Sequence, residues 1–386
     1  MQKSRVTRVG ALLVGLTLVA AACGDDDDDS SSTEAAEEAT EETEAAEEEA
    51  TEDTEAAEEE EMAEEEGGEE AAAGGEGDGI LRLGGILPET GNLAFLGPPE
   101  FAGVELAVQD INAAGGVLGA DIEWLPGDSG DNGEVANATV DRLLAEDVDG
   151  FIGAASSSVS LTVIDKITQA GKIHFSPANT SGVFTTYDDN GLYFRTAPND
   201  RVQGAALADI VVSDGNATVG FLVLNDAYGT DLLEFTKGPL VEQGAEVVYE
   251  TIYDPKAENF DSEVAGVVEA DPDAIVVIGF DETSKILTGM IEAGVGPADK
   301  AVYGTDGNMA NALAETFDDP SVVAGMRGTL PGVDVEGELA DFRDALLEVD
   351  PELTGFSYSA ESYDAVVVTA PPNWRYFAGF ATQFWE

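Results

Sequence analysis

The chain of 386 residues contains one cysteine, Cys23, and one histidine, His174. A disulfide needs two cysteines, so none forms within the chain, and a metal site built from Cys and His is excluded with it. A Ser–His–Asp constellation would have to use His174, which lies inside the apolar run KIHF and reads as structural. Positive charge is scarce too: 16 Lys and Arg stand against 79 Asp and Glu, a net charge of −63. That balance argues against nucleic acid or an anionic membrane surface as a partner. GGILPETG lacks the spacing of a dinucleotide fingerprint, and no other cofactor motif or enzyme signature is found.

Long apolar runs are also missing. The run Val9–Ala22 is 14 residues, too short to span a bilayer, and follows Lys3, Arg5 and Arg8. A charged start, a short apolar stretch and small residues before Cys23 describe a secretory signal. LVAAAC resembles a bacterial lipobox, which implies lipidation at Cys23 and residues 1–23 as a lipoprotein signal. The other reading of Cys23 is a free thiol. Residues 24–79 hold 28 of the acidic residues, with no Lys, Arg or aromatic residue. Such a segment cannot bury a core and is expected to be a disordered, self-repelling tether.

From Ile80 onward, apolar strands alternate with helix-length amphipathic stretches, the pattern of parallel sheets covered on both faces. The pattern runs once to Leu192–Arg195 and restarts after Thr196-Ala197-Pro198-Asn199. The expected fold class is therefore α/β, with two doubly wound lobes and a cleft between them. Lobe I is assigned to 80–198 with 333–370, and lobe II to 199–332. Expected elements include strands at Ile80–Leu87 and Gly150–Gly153, and helices at Ser160–Ala170 and Leu232–Gln243. Pro88–Pro99 is read as a loop, and Tyr228 as part of a turn.

The stretch Asp149–Thr186 reads as strand, polar loop, helix, strand, polar loop. Its two loops, with Ala154–Ser158 and Ser176–Thr180, fall at strand C-terminal ends, where open parallel sheets bind ligands. Hydroxyls and free helix amides there suit a carboxylate. The alternative is that the serines only cap a helix.

The segments GVELAVQDINAAGGVLG, GFIGAASSS, HFSPANTS, YFRTAPND, NDAYGTDL, VIGFDET and YGTDG occur in order between Gly103 and Gly307. In that order and spacing the chain resembles a type I periplasmic binding protein of the leucine/isoleucine/valine-binding kind, the solute receptor of an ABC importer. The resemblance implies that Ser157, Ser158 and Thr180, with the Asn179 backbone, clamp a ligand α-carboxylate. It implies that Asp306 pairs with an α-ammonium, and that Tyr228 and Phe280 close over the ligand from the second lobe. Leu96 falls where some members carry tyrosine, in the side-chain pocket. The blander readings are a turn residue for Asp306 and lobe core for Tyr228. The implied partners are a small-molecule amino acid, an ABC permease with its ATPase, and a membrane reached through the lipid anchor, around a monomeric receptor without cofactor. Rival expectations are a receptor for urea, an amide or an aromatic acid, or a sensing module for a membrane partner. The end of the chain, PPNWRYFAGFATQFWE, has six aromatic residues and differs in composition from what precedes it. Residues 371–386 are read as a truncated or frameshifted tail, with an aromatic interaction tail as the alternative.

Overall fold

The structure, a computed structural model, describes residues 78–370 except 118, 310–311, 333–336 and 338. The signal with Cys23, the acidic linker up to residue 77 and the tail 371–386 lie outside the described residues.

The first half of the fold is built on β1 (Arg82–Ile86), α1 (Gly97–Ala113), β2 (Glu123–Leu125), α2 (Gly133–Ala145), β3 (Gly150–Gly153), α3 (Ser157–Gln169), β4 (Ile173–Ser176) and β5 (Tyr193–Arg195). The second continues with α4 (Asp200–Ser213), β6 (Thr218–Leu224), α5 (Ala227–Glu242), β7 (Glu246–Tyr253), α6 (Asp261–Ala270), β8 (Ala274–Ile278), α7 (Thr283–Glu292), β9 (Ala301–Gly304), α8 (Ala312–Glu315) and β10 (Arg327–Gly328). Two more helices follow, α9 (Ala340–Val349) and α10 (Ser359–Thr369).

The strands form two five-stranded sheets, ordered β2-β1-β3-β4-β5 and β10-β9-β8-β6-β7, and every pairing is parallel. Read from its own first strand, each sheet has the order 2-1-3-4-5, so the two lobes share one topology. In each, the chain reverses its direction of winding beside the first strand: between β1 and β3, and between β6 and β8. The C-terminal ends of those four strands are the places where a doubly wound sheet opens a crevice.

Burial explains the sequence pattern. β8, AIVVI, is buried along its whole length, as a central parallel strand covered on both faces must be. In the first lobe, Leu83, Ile152 and Phe175 pack with Val104, Ala107, Ala365 and Val366 on the face covered by α1 and α10. Ile86 and Phe151 pack with Val140, Leu143, Val159 and Val163 on the face covered by α2 and α3. α10 therefore belongs to the first lobe although it follows the second in sequence. His174 sits in this core, edge-on to Tyr193 at 5.1 Å, and burial depresses its pKa to about 4. It is neutral at pH 7, a core residue.

Three boundaries differ from the sequence expectation. α1 begins at Gly97, not after Pro99, because Pro98 and Pro99 occupy its first positions, where a missing N–H costs nothing. α3 begins at Ser157, since Ser156 caps it by accepting from the Val159 amide at 3.3 Å. α5 begins at Ala227 with Asp226 as its cap, accepting from the Gly229 amide at 2.7 Å. Ser157, Ser158 and Tyr228 are therefore in first helical turns and not in loops. The strand β10 and the short helix α8 have no clear sequence signal and were not anticipated.

Candidate functional site

The reversal points of the two sheets face one another and enclose a cavity of about 20 Å³, enough for about one water. Leu93 and Leu96 reach it from the segment after β1, and Ala155, Ser156 and Ser157 from the end of β3. Ala178 and Thr180 follow β4. Tyr228 comes from the start of α5, Phe280 from the end of β8, Asp306 and Gly307 from the end of β9, and Tyr358 from the start of α10. Buried apolar residues of the first lobe, Leu93, Leu96, Ala155 and Ala178, join the core of the second across this cleft. The lobes are closed on one another.

Geometry at the end of β3 leaves no freedom for a side chain. Gly153 has φ of +119°, and a Cβ there would stand 2.3 Å from the Ile86 carbonyl. Only glycine fits. The turn that follows delivers the serines to the first turn of α3, where helix amides have no partner within the helix.

Part of the cavity's wall is hydroxylic. Ser157 and Thr180 are buried there. Arg195, the nearby cation, is engaged elsewhere: its guanidinium donates to the Asn179 and Ser181 carbonyls at 3.3 and 2.6 Å and to the Thr185 hydroxyl at 3.0 Å. Another part is acidic. Asp306 accepts from Tyr228 at 2.6 Å and Gln203 Nε2 at 2.8 Å on Oδ1, and from Tyr358 at 2.7 Å on Oδ2. Beside it stands Asp200, the first residue of α4, fully buried and without a hydrogen-bond partner on either oxygen among the described residues. Burial first, then the Asp306 charge, raises its pKa to about 8, and the Thr180 hydroxyl eases this without forming a bond. The rings of Tyr228 and Phe280, also on the cavity's wall, stack with centroids 5.4 Å apart. The cavity offers the Ser157 and Thr180 hydroxyls, the Asp306 carboxylate and an aromatic and aliphatic wall, with Asp200 buried close to Thr180 and Asp306 but outside the lining.

Of the eight residues singled out from the sequence, Leu96, Ser157, Thr180, Tyr228, Phe280 and Asp306 line the cavity. The side chains of Ser158 and Asn179 do not. Ser158 Oγ faces the second lobe and accepts from the Ala227 amide at 2.8 Å. Asn179 donates to the Ala154 and Ala155 carbonyls at 3.0 and 2.8 Å and accepts from Tyr193 at 2.8 Å, tying β3, β4 and β5 together. The sequence reading passed over Leu93, Ala155, Asp200, Gln203 and Tyr358. A signal existed for Asp200, the last residue of the crossover PND, and for Gln203 three residues on, which together open α4. None existed for Tyr358, which reaches the site only because α10 folds back onto α1.

Among the described residues no group of three or more His, Cys, Asp or Glu is placed to hold a metal ion. A larger hollow, about 370 Å³, lies between Phe101 and Val349 at the back of α1, but it is open and its polar wall is Glu89, Glu105 and Asp350. It offers no converging donors.

A two-lobed parallel α/β fold with an enclosed cleft at facing reversal points defines the class of small-solute binding proteins. Residues 81–367 match the family model described as periplasmic binding protein, and the chain belongs to that family. It is 26% identical over 295 residues to a substrate-binding protein of a chemotactic signal transduction system from Halobacterium salinarum, covering 74% of this chain and 68% of that one. It is 28% identical over 244 residues to an amino acid binding protein from Pseudomonas aeruginosa, covering 62% of this chain and 64% of that one, under two thirds of its length. Among solved structures it shares the fold of a leucine binding protein from Thermotoga maritima (TM-score 0.66, 22% identity, 75% of this chain and 81% of that one). It also shares the fold of a Rhodopseudomonas palustris solute binding protein in complex with benzoate (TM-score 0.65, 20% identity, 75% and 79%).

Proposed function

We propose that this protein is an extracytoplasmic receptor, lipid-anchored at Cys23, that captures an amino acid with an aliphatic side chain and delivers it to the permease and ATPase of an ABC importer. The observation that carries the reading is the cavity's lining, which sets the Asp306 carboxylate beside the neutral Ser157 and Thr180 hydroxyls. An amino-acid zwitterion needs one group for its ammonium and another for its carboxylate, a few ångströms apart. An ammonium beside Asp306 pairs with its carboxylate and offsets part of the penalty, burial first and the Asp306 charge second, that raises the Asp200 pKa. The Ser157 and Thr180 hydroxyls and the first amides of α3 receive the carboxylate, while Leu93, Leu96 and Phe280 cover the side chain. A purely anionic ligand such as an aromatic acid gains nothing from Asp306 and suffers its repulsion. Opening of the lobes admits the ligand. The cavity of about 20 Å³ is smaller than an amino acid, so the lobes or the lining side chains give way around it, and its contacts with both lobes stabilise that liganded state. In this reading lobe I comprises 80–198 with 333–370, lobe II comprises 199–332, and the receptor acts as a monomer without catalysis or cofactor.

The test is a thermal-shift screen of the full chain against amino acids, urea, simple amides and benzoate. A ligand at about 100 times its Kd stabilises by about 2.7 kcal/mol, a rise of several degrees. A rise with leucine, isoleucine or valine supports the reading, and a rise with benzoate alone overturns it. The name of the Halobacterium relative favours a second reading, in which the same cleft serves a chemotactic partner. Among the described residues no helix is long and apolar enough to cross a membrane, so in either reading a separate membrane protein receives the signal or the solute. Co-purification with a permease or with a transducer separates the two.

A further inference from the structure

Tyr358 stands in an unusual place. Its backbone has φ of +61°, a left-handed conformation that a bulky side chain adopts at a cost unless surrounding contacts hold it. It immediately precedes α10, which is fastened to the first lobe by close packing against α1: Gly103 lies so near that a Cβ there would stand 2.1 Å from the Ser359 carbonyl. The ring is buried, and its hydroxyl crosses the cleft to Asp306 Oδ2 at 2.7 Å. The other two donors to Asp306, Tyr228 and Gln203, belong to α5 and α4 of the same lobe as Asp306 and stay with it whichever way the lobes move.

We infer that Tyr358 is a positioning residue that latches the two lobes through Asp306, so that the acid receives its third hydrogen bond only in the closed state. Among the described residues the other direct ties between lobes join different groups: Asn92 Nδ2 donates to Glu282 at 3.5 Å, and the Asp200 amide donates to the Thr180 carbonyl at 2.8 Å beside the crossover. Ser158 Oγ accepts from the Ala227 amide at 2.8 Å, and Asp231 accepts from the Ser181 hydroxyl at 3.0 Å and from the Gly182 amide. None of these reaches the Asp306 carboxylate. Among the described residues the Tyr358 bond is the tie from the first lobe to Asp306, and it links lobe closure to the orientation of that acid. Opening hands Oδ2 to water, while Tyr228 and Gln203 keep Oδ1 in place. Closure re-forms the Tyr358 bond and turns the carboxylate toward one bound cation. The left-handed backbone at Tyr358 follows from the same geometry, because it is what directs the ring from the end of α10 into the cleft.

The latch concerns closure itself and is tested without a ligand, so its failure is distinguishable from failure of the amino-acid reading. Single-molecule energy transfer is measured on the full chain carrying Cys23→Ser, with dyes on cysteines introduced as Glu134→Cys and Glu258→Cys. Both positions are exposed, beyond β2 and β7 on the rims of the two lobes. Tyr358→Phe removes only the hydroxyl and is expected to lower the ratio of closed to open molecules by about 10- to 100-fold, the usual worth of a hydrogen bond to a charged group. Asp306→Ala is expected to open the lobes comparably, and adding Tyr358→Phe to it to change the ratio no further. A purely structural role for Tyr358 would lower the melting temperature and leave this coupling at zero. An unchanged ratio in folded Tyr358→Phe overturns the latch, as does an equal effect of Tyr358→Phe with and without Asp306. If Tyr358→Phe fails to melt cooperatively, Asp306→Ala alone decides: closed lobes in that variant refute the proposal.

Discussion

Asp306→Asn tests the proposed chemistry most directly. The substitution keeps the size of the side chain and removes its charge. In the protein the carboxylate accepts three bonds of 2.6–2.8 Å, from Tyr228, Gln203 and Tyr358, and is 5% exposed. An amide offers one acceptor oxygen in place of two, so one of the three donors faces an NH2 group. That mismatch costs about 1–2 kcal/mol of stability and lowers the melting temperature by a few degrees. Binding should suffer more. A ligand ammonium loses a charged partner in a site closed to water, worth about 2–4 kcal/mol, or about a 30- to 1,000-fold rise in Kd. Titration calorimetry with leucine, or with whichever amino acid the screen finds, measures it against the unsubstituted chain. A Kd within threefold of the original would refute the ammonium assignment. A tighter Kd would mean that the ligand brings a negative charge to this end of the cleft.

Three further outcomes are expected. Asp131 on the first lobe faces Asp226 and Glu282 of the second; burial, then like charge, raises Asp131 to about 7, while burial raises Asp226 to about 6. Raised carboxyl pKa values favour the folded, closed form below the ordinary carboxylate range, and that contribution is lost as pH rises through about 6 to 7. The melting temperature should therefore fall by several degrees between pH 5 and pH 8, and Asp131→Asn should flatten the slope; a slope unchanged in that variant contradicts the assignment. Gly103→Ala forces α10 away from α1 and should cost about 1–3 kcal/mol in a urea melt, with no loss meaning that the helices part more easily than their packing implies. Asn132 caps α2 by accepting from the Glu134 and Val135 amides at 2.7 and 3.4 Å, so Asn132→Ala should cost about 1 kcal/mol by the same assay.

How much of the site was legible depended on where each residue's partners lie in the chain. Ser157 and Thr180 follow β3 and β4 directly, and a polar loop at the C-terminal end of a parallel strand marks the ligand edge from sequence alone. Asp306 could be placed by the same rule, after β9. Ser158 and Asn179 carried the same local signature yet turn away from the cavity. Which of two neighbouring side chains faces inward is set by where the helix begins, and the Ser156 cap moved the start of α3 forward. Asn179 was claimed instead by three neighbouring strands, a competition that no local pattern records. Tyr358 lies 52 residues from Asp306 and across the cleft from it. Its role depends on α10 docking against α1, which lies more than 240 residues earlier.

By itself, the sequence determined the class of the fold, because alternating strands and helices with wholly apolar central strands admit only covered parallel sheets. It also determined what the protein does without: one cysteine and one histidine exclude the disulfides and the Cys/His sites that would need more. Only the tertiary structure decided which lobe α10 joins, which side chains share the cavity, and that the acid lining it, Asp306, has a second buried acid, Asp200, close by. The reason is physical. Strand and helix periods are local properties of consecutive residues, whereas the environment of a buried charge is set by groups brought together from distant parts of the chain.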